Sequence, residues 1–106
     1  MTLAEFRGTL TGSAAPDGLS NALRAMWEDG KGNWHAAHAI AQDIEDRTGS
    51  RIHAYLHRKE GDPGNAAYWY RRAGEPVAQD SLDEEWERIV ITLLRRSGDQ
   101  KSVSRR

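Results

Sequence analysis

Apolar and polar positions along the chain alternate with a helical period in five stretches, and no stretch shows the two-residue alternation of a strand. From Leu19 to Glu28 the apolar residues fall at Leu19, Ala22, Leu23, Met26 and Trp27, the i, i+3, i+4, i+7, i+8 stripe of an amphipathic helix. Asp29 to Gly32 ends it. Asn33 is placed to cap a second helix, on which Trp34, Ala37, His38, Ala41 and Ile44 share a face down to a polar break at Glu45 to Gly49. Thr48 or Ser50 caps a third, with Ile52, Tyr55 and Leu56 inward and Gly61 just past its end, where left-handed backbone is favoured. Asp62 followed by Pro63 then pairs a capping carboxylate with a residue that lacks only an amide hydrogen unsatisfied in a first turn anyway. The fourth helix therefore runs from Pro63 to about Ala73, where Gly74 and Pro76 stop it.

Ser81 with Glu84 forms a capping box for the fifth helix, whose Leu82, Trp86, Ile89, Val90, Leu93 and Leu94 give the cleanest periodicity of all. Before the first helix, residues 1–18 include GTLTGSAAPDG (8–18), small, polar and broken by Gly and Pro, which reads as an irregular arm. After Ser97 the tail carries one apolar residue and cannot offset its ordering entropy, so 98–106 is expected to be disordered. The expected fold is all-α: a compact bundle of about five antiparallel helices in one domain, 19–97.

Two turns resemble each other. Gly32-Asn33-Trp34-His35-Ala36-Ala37 and Gly61-Asp62-Pro63-Gly64-Asn65-Ala66 share a glycine, a capping residue and an alanine five positions after the glycine. Together with RIHAYLHRKEGDPGNAAYWYRRAG (51–74), this pattern resembles the tetratricopeptide and Sel1-like helical hairpin repeats over roughly half of the chain. The segments WHAAHAIAQDI and HAYLHRKEGDPGNAAYWYRRAG are also similar to a group of short bacterial proteins of unknown function. The repeat resemblance implies a TPR-like hairpin core and a non-enzymatic surface that holds a protein or peptide partner.

Composition narrows the chemistry. Fifteen basic and sixteen acidic side chains leave a charge of -1, so no global field selects nucleic acid or an anionic membrane. There is no cysteine, which excludes disulfides, thiol catalysis and thiolate-ligated metal. No secretory leader or long apolar run appears, and a cytoplasmic protein is the default. Arginine outnumbers lysine twelve to three, a bias that genome base composition produces as readily as function does.

All four histidines fall on the second and third helices, His35 and His38 at i, i+3 and His53 and His57 at i, i+4. If those helices are antiparallel the pairs converge, and imidazoles so spaced are competent zinc, nickel or iron ligands. No H-E-x-x-H or E-x-x-H pattern accompanies them. The plainer reading makes His38 a satisfied core residue and His53 and His57 polar edges of the Ile52–Leu56 stripe, and it assigns no metal and no cofactor.

Tyr68, Trp69 and Tyr70 are about 100° apart on their helix and cannot all point inward. With Arg58, Arg71 and Arg72 they offer an aromatic and guanidinium surface for a peptide carboxylate, a phosphate or a stacked base. Alternatively Trp69 and Ala66 face the core and the tyrosines cover its edges. Trp27, Trp34 and Trp86 lie on inner stripes, while Asp83, Glu84, Glu85 and Glu87 make a solvated face matched to the helix dipole. The function expected from the sequence is partner binding through Trp34, His38, His53, His57, Arg58, Tyr68, Tyr70 and Arg71, with self-association into a symmetric dimer as one form of it and burial in a larger assembly as another. The competing expectation is a metal-dependent or acid–base enzyme built on the cluster His35, His38, His53 and His57.

Overall fold

Helix formation begins earlier than the hydrophobic stripes indicate. The structure, a computed structural model, describes the backbone of residues 1–104 and the side chains of residues 1–96. Within it the segment read as an irregular arm opens with a helix, α1 (Leu3–Thr9). Thr2 accepts from the Glu5 amide while the Glu5 carboxylate accepts from the Thr2 amide, so two orphan donors of the first turn are satisfied reciprocally. The helix is worth forming because Phe6 is completely buried, its ring 5.9 Å from that of Trp86. Beyond Thr9 the arm is indeed irregular, and Lys31 ties it down by donating to the carbonyls of Leu10 and Gly12.

Two hairpins follow. α2 (Asn21–Gly30), capped by Ser20, turns at Gly32 into α3 (Trp34–Gln42), and α4 (Arg47–Lys59) turns at Gly61 into α5 (Pro63–Ala73). The two turns use the same bonds. Gly32 and Gly61, with φ of +88° and +89°, each donate to the carbonyl three residues back, and Asn33 and Asp62 each donate to the carbonyl five back. A left-handed residue is needed there, and glycine adopts it without a Cβ penalty. Asp62 caps α5 through the Asn65 amide, as its sequence position predicts, whereas the Asn33 side chain makes no capping bond and donates to Glu28 instead.

The connection between the hairpins is shorter than the polar break implies. Asp46, rather than Thr48 or Ser50, caps α4 by accepting from the Gly49 amide. Gly49 is thus helical, and a Cβ there would stand 1.9 Å from the Ile44 carbonyl oxygen. The turn can close this tightly because position 49 has no side chain.

α6 (Leu82–Ser104) starts at the expected reciprocal pair of Ser81 and Glu84 and lays its stripe across the hairpins. Trp86, Ile89, Val90 and Leu93 are buried with Leu23, Met26, Trp27, Ile52, Tyr55 and Leu56 in one core, and the Trp86 indole donates to the Met26 carbonyl. A smaller cluster of Ala54, Ala66 and Tyr70 holds α5 on α4. The expectation of disorder for 98–106 concerns residues whose side chains lie outside the described part. The fold is all-α, and no helix among the described residues is long and apolar enough to cross a membrane.

Candidate metal centre

The i, i+4 spacing of His53 and His57 puts both imidazoles on the α4 face that α3 covers, and α3 brings His38 onto them. Ring centroids are 4.7 Å apart for His38 and His53, 5.3 Å for His38 and His57, and 5.5 Å for His53 and His57. One nitrogen from each of the three lies within 4.8 Å of the others. Two indoles wall the cluster: Trp34 stacks on His38 at 4.9 Å, and Trp69 leans on His53 at 4.2 Å. Trp34 is itself fixed by donating to the Leu56 carbonyl.

His53 and His57 are buried and His38 half-buried. Burial, joined by repulsion from His38 and His57, pushes the His53 imidazole down to about 4. The same burial lowers His38, helped by His57 and His35 and opposed by Glu60. Both are therefore neutral at pH 7, with lone pairs available to a metal. The Nε2 of His53 is the one fully buried side-chain nitrogen or oxygen without a hydrogen-bond partner among the described residues. Such an atom costs about 1–3 kcal/mol unless something else satisfies it.

His57 is oriented from behind. Its Nδ1 lies 2.6 Å from Glu60 Oε1, and a carboxylate accepts, so Nδ1 is the donor and Nε2 is the nitrogen left for a ligand. This is the carboxylate–histidine arrangement that fixes tautomer and raises ligand basicity at zinc sites. Tetrahedral zinc at about 2.0–2.1 Å from each nitrogen needs ligands about 3.4 Å apart, so nitrogens within 4.8 Å close on an ion by shifts under about 1 Å. Glu60 and Asp62 also lie near His57, but Asp62 is engaged in capping α5.

The residues singled out in the sequence do not form one surface. His38, His53, His57 and Trp34 come together, while His35 stays exposed, edge-on to Trp34, outside the three-histidine group. Tyr68 is 43% exposed and bonded to Arg72, and Arg71 is exposed beside it on α5. Tyr70 and Arg58 are corrections. Ala66, Tyr70 and Ala73 make the inner stripe of α5, which turns Tyr70 inward to 1% exposure and leaves Trp69 half-buried over His53. Arg58 is spent on the Glu85 carboxylate and the Asp80 carbonyl.

The acidic face of α6 is corrected too. Glu85 is wholly buried, accepting from Arg51 at 2.6 Å, Arg58 at 2.7 Å and the Tyr70 hydroxyl at 2.5 Å. Asp29, read as part of a helix-ending turn, is buried as well and accepts from Tyr55 at 2.7 Å and Lys59 at 2.9 Å. Burial first, then these carboxylates, raises both tyrosine hydroxyls well above their ordinary range. Each acid had a visible signal: Glu85 stands three residues after Leu82 and four before Ile89, and Asp29 three after Met26, all on the inner stripes.

No family model, curated protein or solved structure matches this chain.

Proposed function

We propose that the protein binds a divalent transition-metal ion, zinc in the first instance, through His38, His53 and His57. One observation carries the reading: three imidazoles, two of them held neutral, converge around a buried Nε2 that no protein group satisfies. Three protein nitrogens leave a fourth coordination position for water or an exogenous ligand, the arrangement of zinc sites that bind or activate small molecules. The neighbouring carboxylate, Glu60, is engaged by His57 Nδ1 and serves as orienter rather than base. Nitrogen-only donors favour zinc, nickel or copper over magnesium and calcium, which require oxygen.

Calorimetric titration of chelator-stripped protein with zinc chloride and with magnesium chloride tests this. The expected result is one zinc per chain, no magnesium, and loss of zinc binding in the His53→Phe, His57→Phe double variant with retained helical circular dichroism. Absence of saturable zinc, nickel and copper binding in the unaltered chain refutes it. The exposed rim of Tyr68, Arg71 and Arg72 supports a narrower second reading, docking of an acidic peptide beside the histidines.

A further inference from the structure

Away from the histidines, α4, the end of α5 and α6 enclose a cleft of about 440 Å³, within the size range of small-molecule sites. Five of the twelve arginines line it: Arg47, Arg51, Arg88, Arg95 and Arg96. A single carboxylate, Glu75, is in the lining. Half-buried Ile91 offers apolar surface in the lining, over the buried side chains of Ile52, Ile89 and Leu93.

The five guanidinium groups divide into two kinds. Arg51 is anchored on Glu85, Arg88 on Asp80 through two nitrogens at 2.7 Å and 3.1 Å, and Arg96 on the Thr48 hydroxyl at 2.7 Å. Arg47 and Arg95, both exposed, make no ion pair among the described residues. A site of this kind has fixed walls and two uncommitted forks, and the planar guanidinium fork matches the oxygens of a phosphate bidentately. Charge alone would suit inorganic phosphate; the apolar surface at Ile91 favours an organic body attached to it.

We propose that this cleft binds a small phosphomonoester whose apolar portion rests against Ile91 and whose phosphate is gripped by Arg47 and Arg95. The inference is independent of the metal centre, which uses other faces of α3, α4 and α5.

The probe is 1-naphthyl phosphate, titrated calorimetrically in chelator so that no histidine-held metal can take the phosphate. Expected are saturable one-to-one binding, at least tenfold weaker binding by 1-naphthol and by inorganic phosphate, and a loss of tenfold or more in Arg47→Gln, Arg95→Gln. Both side chains are exposed, so the variant should keep the native circular dichroism; Arg47→Gln alone serves if it does not. The proposal fails if the probe does not saturate by about 5 mM, or if the variant binds it as the unaltered chain does. It fails equally if a duplex oligonucleotide displaces the probe and binds more tightly, which would make the cleft a nucleic-acid contact.

Discussion

Replacing Glu85 with alanine removes the acceptor shared by Arg51, Arg58 and Tyr70, and its cost can be worked from the geometry. The Arg51 and Arg58 side chains are 15% and 24% exposed, so each retains some access to water, and Arg58 keeps the Asp80 carbonyl. Breaking a buried pair costs about 3–5 kcal/mol, and this residual solvation places the loss near the lower figure. The Tyr70 hydroxyl, 1% exposed as a residue, loses its acceptor for a further 1 kcal/mol or so. A total of about 4 kcal/mol is a large share of the 5–15 kcal/mol that holds a domain together. Glu85→Gln keeps the shape and one acceptor oxygen but turns an amide donor toward a guanidinium, and should lose about half as much. Urea unfolding read by tryptophan fluorescence, with linear extrapolation, measures both. In a cycle with Tyr70→Phe, the Glu85 substitution should cost less in the phenylalanine background, since the hydroxyl is no longer there to be stranded. A loss below about 1 kcal/mol for Glu85→Ala would mean that the carboxylate is solvated after all, as a dipole-matched surface acid would be.

Gly49→Ala forces a methyl against the Ile44 carbonyl and should cost about 3 kcal/mol or more by urea unfolding, while Gly64→Ala, with nothing within 4 Å, should be neutral or stabilise by up to about 1 kcal/mol. The raised hydroxyls of Tyr55 and Tyr70 make stability pH-dependent in the alkaline range. Their contribution is fully present below about pH 10, where the unfolded phenols are neutral, and falls above it as the unfolded state releases protons that the folded state retains. Each residue should remove about 1.4 kcal/mol by pH 11; the Tyr55→Phe, Tyr70→Phe variant, though less stable at neutral pH, should show a correspondingly shallower fall between pH 9 and 11, and an unchanged slope would refute the assignment.

What could be read from the sequence was whatever local chemistry dictates. Asp62-Pro63, the pair Ser81 and Glu84, and glycines 61 and 74 each act within one turn, and the structure uses them as written. The apolar stripe of α6 was equally plain. The signals of α1 are weaker but present: Thr2 and Glu5 at capping spacing, and Leu3, Phe6 and Leu10 at i, i+3, i+7. Glycine and proline farther along the arm overshadowed them. The histidine spacings showed two pairs, but only the crossing of α3 over α4 selects His38 and leaves His35 outside. For Glu85 and Asp29 the difficulty was different. A carboxylate on an apolar stripe is read by default as an edge residue, and its burial becomes intelligible only when the cations from α4 and the tyrosines that face it are known.

The dependence of α4 on Glu85 bears on the order in which the chain is made. Arg51 and Arg58 are synthesised some thirty residues before their partner, and Ile52, Tyr55 and Leu56 before the stripe that covers them. A nascent chain released only as far as α5 has both hairpins, whose contacts are local and fast to form, yet presents an uncovered apolar face ringed by unpaired guanidinium groups. Until α6 emerges, Arg51 and Arg58 lack the carboxylate that pairs them in the folded chain. The acid that neutralises them arrives on the same helix turn as Trp86, so the discharge of the face and its closure are a single event.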